Sequence, residues 1–260
     1  ESIVSESCHD IHLINPINSQ CPENLSKREY DAIIIHCSIA ITESYYLSAK
    51  WVKGITHFDG IKVQIVQDEY RWINKMKAQM RCLGVQAIFS SLSKENAEMV
   101  YSGEFMSDIK VFSCLPGYFS TRLRALPFRP FKEREYDVIY RGRELPWSTG
   151  KFAQAKKKIG QNFISWSKDS DLRSDVQTEE SERIYGDDWD TFLMSGKTML
   201  GVEGGASIFD FDGTLAEDLT VYESENPNAD LSQYWEAKLK LFEEKISHKT
   251  ITPKFFEAIA

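Results

Sequence analysis

Residues 31–39 read DAIIIHCSI. A short run of β-branched and apolar residues that follows polar ones and ends near a histidine is typical of a strand buried in a parallel sheet. Similar runs follow at residues 61–70, 85–92 and 108–117, and segments with helical character lie between them. Because strands alternate with helices over short connections, the sequence predicts an α/β fold with a doubly wound parallel sheet.

The second half of the chain repeats this alternation after a break. Residues 118–135 are rich in proline and basic residues and have no clear period, which indicates a linker between domains. The helices before the linker are predicted at residues 43–53, 72–84 and 94–103. The strands after it are predicted at residues 136–144 and 197–205, and the helices at 151–166, 231–246 and 252–260. Two consecutive α/β domains are therefore expected, at residues 1–125 and 126–260.

Both ends of the sequence resemble the ends of a truncated chain. The first residue is not methionine, and the last residues, FFEAIA, form an apolar, helix-like stretch with no cap after them. We therefore expect truncation at both ends, with the first strand of the first domain and the C-terminal part of the second domain missing.

Charge and composition argue against several classes of protein. The 260 residues carry a formal net charge of -8 and have a pI near 5.3, so no nucleic-acid partner is expected. The sequence has no run of about 18 apolar residues, as a membrane-spanning helix would require. The five cysteines are scattered without a CxxC pair, which is typical of reduced thiols in a cytoplasmic protein.

The hexapeptide DFDGTL at residues 210–215 resembles the opening motif of haloacid-dehalogenase-type phosphatases. In that interpretation Asp210 is the nucleophile and Asp212 is a general acid beside Mg²⁺. The order of the remaining signals is unfavourable, because the acidic pair Asp187 and Asp188 precedes the motif and no unbroken apolar strand leads into it. The alternative is that the two aspartates of the motif lie in a turn and make local hydrogen bonds.

Six stretches of the chain are similar, in a consistent order, to segments of bacterial surface-polysaccharide glycosyltransferases with the GT-B architecture. These stretches are YDAIIIHCSI (30–39), IVQDEYR (65–71), YDVIYRGRELP (136–146), IYGDDWDTFL (184–193), LGVEGGASIFDFDG (200–213) and ITPKFFEAIA (251–260). In that set the DFDG segment is unrelated to phosphatases. This sequence departs from the pattern at Gly204, where serine is usual, and at Lys254, where arginine is common.

The resemblance implies two Rossmann-like domains that face each other across a cleft, an acceptor-side domain at residues 1–125 and a nucleotide-sugar-binding domain at 126–260. It implies a hexosyltransferase-like enzyme that moves a sugar from a nucleotide-sugar donor to a glycan or lipid-linked acceptor in polysaccharide biosynthesis. No cofactor is expected, because the nucleotide sugar is a substrate, and the chemistry is expected to be metal-independent. A cytoplasmic protein, with peripheral association at the inner face of the membrane, is the expected location.

Two arginines follow the apolar strand YDVIY, and the sequence makes them candidates for donor binding. Ligands of open α/β sheets bind beyond the carboxyl ends of the strands, where Arg141 and Arg143 are placed. Arginine can hold a diphosphate through two parallel hydrogen bonds, and Gly142 lets the backbone approach closely. The alternative is that the two arginines are ordinary surface residues at a strand end.

The stretch GVEGGAS at residues 201–207 predicts a strand that runs into a glycine turn. If residues 207–211 begin a helix, the free N–H groups beside Gly204, Gly205 and Ser207 would face a phosphate or a sugar hydroxyl. Glu203 is then a candidate partner for sugar hydroxyls. The alternative is a plain tight turn.

The stretch TPKFFEAIA at residues 252–260 predicts the start of a helix, with Pro253 at its first position. It resembles the helix that closes the donor site in this superfamily. That resemblance implies that Lys254 adds positive charge at the diphosphate and that Glu257 accepts hydrogen bonds from the ribose hydroxyls. The alternative is an amphipathic core helix on which Glu257 is merely solvated.

Three polar residues end the first two strands and are candidates for catalysis. His36 follows the first strand, and Asp68 and Glu69 follow the second. Each is placed to act as a base on the acceptor hydroxyl or to orient it. The alternatives are a structural histidine, and an acidic pair that binds Arg71 or caps the following helix.

Three classes of function therefore remain. The first is the glycosyltransferase. The second is a Mg²⁺-dependent phosphatase that uses the DFDGT motif, and the third is a non-catalytic module that binds a nucleotide or a sugar. Release of a nucleoside diphosphate from nucleotide sugars separates the first class from the other two.

Overall fold

The structure is a computed structural model that describes residues 2–23, 25, 30–118 and 121–260. It contains two parallel sheets and a small antiparallel pair of strands, flanked by helices. The predicted α/β class is therefore confirmed. Within the described residues, no helix has both the length and the apolar character that crossing a bilayer requires.

The first sheet has four parallel strands in the order β1-β2-β3-β4. These strands are β1 (Ala32–Ile35), β2 (Ile61–Ile65), β3 (Ala87–Ser90) and β4 (Lys110–Ser113). The helices of this half are α1 (Ser2–Glu6), α2 (Ala49–Thr56), α3 (Ile73–Leu83), α4 (Lys94–Val100) and α5 (Glu104–Asp108). The four predicted strands are confirmed in place but are shorter than predicted. Helix α2 begins later than residue 43, because turns occupy the chain before Ser48.

Side-chain alternation along the strands places one face of the first sheet in a hydrophobic core. Ile35 and Ile88 are buried there in one cluster with Met80 of α3. The opposite face is open, since Phe89 is 39% exposed and Phe112, its partner across the sheet, is 46% exposed. The four strands were thus predicted correctly, but the sheet is buried on one face only.

The second sheet has three parallel strands in the order β6-β5-β7. These strands are β5 (Tyr136–Arg141), β6 (Ser174–Gln177) and β7 (Gly196–Met199), and the accompanying helices are α6 (Thr121–Arg124), α7 (Ala155–Trp166) and α8 (Gly186–Ser195). Strand β5 and helix α7 confirm their predictions. Strand β6 was not predicted, because its sequence SDVQ contains a single apolar residue and gives no strand signal.

An antiparallel pair of strands follows the second sheet. It consists of β8 (Gly204–Ala206) and β9 (His248–Thr250), and the nearby helices are α9 (Thr214–Glu225), α10 (Leu231–Tyr234) and α11 (Pro253–Ile259). The predicted strand 197–205 is therefore two separate strands, β7 and β8. The predicted helix 231–246 is α-helical only to Tyr234 and then continues as a π-turn (Trp235–Leu239) and a 3₁₀ turn (Lys240–Phe242).

The DFDG segment connects the two halves of the molecule. The amide of Asp210 donates a 2.9 Å hydrogen bond to the carbonyl of Tyr70, and Phe209 is buried in the core beside the first sheet. Further along the chain, Asn96 Nδ2 donates to the carbonyl of Ser247 at 2.5 Å. Residues assigned to the second domain thus complete the packing of the first sheet. The domain boundary near residue 125 stays a prediction.

Candidate functional site

A cavity of about 560 Å³ lies where chain segments that follow the two parallel sheets meet. Asp68 and Tyr70, which follow β2, form part of its wall, as do Arg141 at the end of β5 and Arg143 just beyond it. Helix α11 contributes a further side, through Lys254 and its neighbours. The carboxyl ends of parallel strands are where ligands of α/β proteins bind, so this cavity is the candidate functional site.

Positive charge dominates the lining of the cavity. Its cationic side chains are Arg122, Arg141, Arg143, Lys156, Arg183 and Lys254, and its acidic ones are Asp68, Glu179, Glu182 and Glu257. This excess contrasts with the chain as a whole, whose formal net charge is -8. A local concentration of cations on an acidic protein favours an anionic ligand at this place.

Most of the arginines in the cavity wall already have acidic partners. Arg122 binds Asp190, Arg143 lies 3.5 Å from Glu180, and Arg183 lies 2.8 Å from that same carboxylate. These pairs leave the net charge of the wall less positive than the count of arginines suggests.

Lys156 and Lys254, the two cavity lysines, differ from the arginines. Burial is the main cause that lowers the pKa of each, and in Lys254 the charge of Lys156 adds to the effect and the pKa falls to about 8. Lys254 Nζ donates to the carbonyl of Arg141 and lies 5.4 Å from the centre of the Tyr140 ring. In the parts of the chain that the structure describes, neither lysine has a carboxylate within 4.0 Å.

Arg141 has a different role from the predicted one. Its Nη1 and Nη2 atoms each donate a 2.8 Å hydrogen bond to the carboxylate of Asp175, and its guanidinium carbon lies 4.3 Å from the centre of the Phe192 ring. The prediction that Arg141 holds a diphosphate through two parallel hydrogen bonds is therefore corrected, because Asp175 occupies that fork. Arg143, two residues later, lines the same cavity and is 43% exposed.

Glu257 of α11 lines the cavity as well. Its Oε2 accepts a 3.0 Å hydrogen bond from the indole Nε1 of Trp189, which is also part of the wall. The indole fixes the direction of the carboxylate. Glu257 and Lys254 both line this cavity, and their role in donor binding stays a prediction.

The GVEGG stretch does not form the predicted turn before a helix. Gly204 and Gly205 lie in β8, paired with β9, and the next helix begins only at Thr214. Ser207 is buried, with its Oγ accepting a 3.1 Å hydrogen bond from the amide of Phe152. The predicted helix N-terminus at residues 207–211 is therefore wrong, because the chain there follows a paired strand and the next helix begins later. The predicted ligand contact of Ser207 is also wrong, because its side chain is buried and bonded to the protein. Glu203 is exposed and lies outside the wall of the cavity.

The three residues predicted for catalysis separate in space. Asp68 is exposed, lines the cavity and accepts a 3.2 Å hydrogen bond from the hydroxyl of Tyr70. His36 is exposed, forms a 3.0 Å hydrogen bond with Ser38 and does not line the cavity. Of the two, only Asp68 has a position from which it can meet a ligand of the cavity.

Glu69 lies in the core, not in the cavity. Its side chain is fully buried and accepts hydrogen bonds from the hydroxyls of Ser90 and Tyr101 and from the amide of Ser91. The prediction that Glu69 acts on the acceptor is corrected, because every one of these donors is part of the protein. Glu69 and Asp68 are adjacent in the chain, and their side chains point in opposite directions, the first into the core and the second towards the cavity.

A smaller space of about 70 Å³, which we call the inner chamber, adjoins the cavity and shares part of its wall. It shares Asp68, Tyr70 and Lys156 with the cavity and adds Gly205 and His248. Gly205 has φ +119°, and a Cβ there would lie 1.8 Å from the carbonyl oxygen of His248, so only glycine lets β8 and β9 approach this closely. His248 and Lys156 were not predicted as site residues, because neither lies in a motif or at the carboxyl end of a predicted strand.

Of the two DFDG aspartates, Asp210 makes the local bonds that the alternative interpretation predicted, whereas Asp212 bonds to a residue of the first half of the chain. Asp210 is buried, and its two carboxylate oxygens accept from the amides of Gly213 at 2.8 Å and Ala216 at 3.0 Å. Asp212 Oδ1 accepts a 2.6 Å hydrogen bond from Asn74 Nδ2. Across the described part of the chain, no group of three or more His, Cys, Asp or Glu side chains is arranged to hold a metal ion.

Comparison with known proteins gives no relative, since no family model, curated protein or solved structure matches this chain.

Proposed function

We propose that the protein is a glycosyltransferase and that the cavity binds the diphosphate of its nucleotide-sugar donor. The two cavity lysines carry the proposal. Both are partly buried, and burial lowers the pKa of each; the charge of Lys156 lowers that of Lys254 further, and the charge of Arg143 acts in the same direction on Lys156. Neither lysine has a carboxylate within 4.0 Å among the described residues. Ammonium groups in this situation are costly unless an anion binds between them, and a diphosphate supplies about two negative charges.

Glycosyl transfer uses such a pair of charges directly. When the bond from the anomeric carbon to the diphosphate oxygen breaks, negative charge develops on the leaving oxygen. Lys156 and Lys254 are placed to stabilise that charge, and Arg143 is the arginine of the wall that adds to them. Glu257, held by Trp189, is the acceptor for ribose hydroxyls, and Asp68 stands on the side of the first sheet, where the hydroxyl acceptor enters.

The resemblance to GT-B glycosyltransferases supports the proposed lobes, acceptor and location. The parts of the chain around the first and second sheets act as two lobes of a GT-B enzyme, and the cavity is the cleft between them. The acceptor is a glycan or a lipid-linked saccharide, and the protein works in the cytoplasm at the inner face of the membrane. The nucleotide sugar is consumed as a substrate, and no further cofactor takes part.

Binding of UDP, GDP and dTDP, measured by calorimetry, tests the ligand class. Lys156→Gln and Lys254→Gln are each expected to weaken binding about tenfold or more, since a hydrogen bond to a charged group contributes about 1.5–3 kcal/mol. Lys158→Gln is the matched control on the same helix, because Lys158 is exposed and does not line the cavity. Equal losses in all three variants, or no binding of any of the three nucleotides, would overturn the proposal.

Release of nucleoside diphosphate from UDP-, GDP- and dTDP-sugars tests the reaction. Release by the wild-type chain, reduced in the two cavity-lysine variants, supports transfer. Binding without release of the diphosphate from any donor identifies a binding module instead.

A further inference from the structure

We propose that His248, through its Nδ1 atom, is the general base that takes the proton of the acceptor hydroxyl. This inference rests on the proposed glycosyl transfer and adds to it the identity of the base. His248 lines the inner chamber, which shares Asp68 and Lys156 with the wall of the cavity. The ring that receives the proton therefore lies next to the place where the diphosphate is held.

The proposed role assigns the hydrogen of the imidazole to Nε2. This atom lies 2.9 Å from Oγ of Ser91, and that hydroxyl has the carbonyl of Gln67 within 3.5 Å as its own acceptor. In this tautomer Nε2 donates to Ser91, and the Ser91 hydroxyl donates to Gln67. Nδ1 then holds an unshared electron pair.

Nδ1 of His248 is a buried atom without a hydrogen-bond partner in the described residues. The residue is only 2% exposed, so bulk water does not compensate for this. Buried polar atoms in proteins nearly always have a partner, and exceptions are concentrated at functional sites. A substrate hydroxyl in the inner chamber is the partner that this geometry lacks.

The surroundings of the ring keep it neutral near pH 7. Burial is the main cause that lowers the pKa of His248, and the negative charge of Asp68 and the backbone of Ser91 oppose it, while the positive charge of Lys156 adds a smaller lowering. The Tyr70 ring lies 6.3 Å away and brings no charge, and Glu69 reaches the same region through the amide and the side chain of Ser91. A neutral imidazole with a free lone pair is the form that accepts a proton.

The step balances without any further reactant. The oxygen of the acceptor hydroxyl forms a bond to the anomeric carbon, and its proton passes to Nδ1. The bond from the anomeric carbon to the diphosphate oxygen breaks, and its electron pair leaves with the nucleoside diphosphate. Lys156 lines both spaces and stabilises the departing charge, while burial keeps the imidazole unprotonated beforehand.

His248→Gln tests the role of Nδ1 while preserving the fold. The glutamine amide reaches the position of Nε2 and donates to Ser91, but nothing replaces Nδ1. Nucleoside diphosphate release from UDP-, GDP- and dTDP-sugars is expected to fall about 100-fold or more, in line with the usual contribution of a general base. The dissociation constant for the corresponding nucleoside diphosphate is expected to change less than threefold. His57→Gln, at an exposed histidine, is the control and is expected to leave both quantities unchanged.

A second measurement does not depend on turnover. Long-range proton–nitrogen NMR spectra assign the His248 ring, by comparison with His248→Gln, and report which nitrogen is protonated at pH 7. We expect hydrogen on Nε2 and none on Nδ1. A protonated Nδ1, or release by His248→Gln within threefold of the wild-type rate, would overturn the inference and leave the proposed function intact. If the wild-type chain binds none of the nucleotides, or binds them without releasing diphosphate from any donor, the proposed function fails and the base role with it.

Discussion

Arg141, in the wall of the cavity, forms a bidentate ion pair with Asp175 of β6, with both N–O distances at 2.8 Å. Only 12% of the Arg141 side chain and 23% of the Asp175 side chain are exposed. The guanidinium lies over the Phe192 ring, and its Nη1 also donates to the backbone carbonyl of Tyr140. The pair thus ties β5 to β6 and fixes the backbone carbonyl of Arg141, to which Lys254 donates.

Asp175→Asn is expected to lower the free energy of unfolding by about 3 kcal/mol, because it leaves a mostly buried arginine without its countercharge. Urea denaturation at pH 7 measures the loss. Asp171→Asn, at an exposed position shortly before β6, is the control and is expected to change stability by less than about 0.5 kcal/mol. If Arg141 bound the diphosphate directly, Asp175→Asn would release its fork and tighten UDP binding, so tighter binding contradicts the assigned role.

The affinity of the cavity for UDP is expected to depend on the protonation of Lys254. Burial and the neighbouring Lys156 lower the pKa of Lys254 to about 8. A bound diphosphate favours the ammonium form, so the affinity is full below pH 8 and falls as the pH rises through that value, by up to about tenfold per pH unit. Calorimetry between pH 6.5 and 9.5 measures this decline. In Lys254→Met the decline above pH 8 is expected to disappear, and an unchanged slope in that variant would assign the titration to another group.

The sequence predicted the fold class because its strands carry a strong local signal. The segments that became β1 to β5 are rich in β-branched or aromatic residues, in short runs or in alternation with polar ones, as is typical of strands. Strand β6 has one apolar residue and was therefore not predicted. The pairing of β8 could not be predicted either. Gly204 and Gly205 pair with β9, which lies more than 40 residues later, and a local sequence pattern does not indicate partners at that separation.

Residues of the candidate site could be predicted from the sequence where they follow predicted strands, but not elsewhere. Arg143 and Asp68 follow apolar strands, and both line the cavity. Lys156 belongs to a run of three lysines in α7, which has the appearance of a solvated helix surface, and His248 follows a polar segment. Asp68 and Glu69 are predicted together because both follow the second strand, but these adjacent side chains differ in burial, with Glu69 in the core and Asp68 exposed.

Glu69 is expected to make stability depend on pH. Burial raises the pKa of this carboxyl, and the hydrogen bonds from Tyr101, Ser90 and Ser91 only partly oppose the effect. A group whose pKa is higher in the folded state holds its proton longer there, so its contribution to stability is complete below the unfolded-state pKa and is lost as the pH rises through the folded-state pKa. Urea denaturation at intervals between pH 4 and pH 8 measures this loss.

Glu69→Gln removes the titration and is expected to flatten that part of the stability profile. The amide cannot accept all the hydrogen bonds that the carboxylate accepts, so a loss of about 1–3 kcal/mol is also expected at every pH. Glu98→Gln, on the exposed side of α4, is the control for the titration of an ordinary carboxylate. A pH dependence in Glu69→Gln equal to that of the wild type would show that another group causes it.

Asp210 is expected to stabilise the protein by capping the start of α9. Its two oxygens accept from the amides of Gly213 and Ala216, so Asp210→Ala leaves two backbone donors unpaired at a buried helix start. We expect a loss of about 2 kcal/mol in urea denaturation, at the upper end for helix caps. Asp212→Ala, at an exposed residue that bonds only to Asn74 among the contacts described, is expected to cost less than about 1 kcal/mol.

Substitution of Asp210 also tests the phosphatase hypothesis. Because both oxygens of Asp210 are engaged by backbone amides, neither is presented as a nucleophile, and we expect no hydrolysis of p-nitrophenyl phosphate in the presence of Mg²⁺. Asp210→Asn keeps the shape of the side chain and one of its acceptor oxygens, so it tests chemistry with a smaller effect on the cap. Hydrolysis by the wild-type chain that Asp210→Asn abolishes and Asp212→Asn weakens would favour the phosphatase, since the two residues would then act as nucleophile and general acid. An absence of hydrolysis, together with the loss of stability in Asp210→Ala, leaves the motif a structural element that joins α9 to the first sheet.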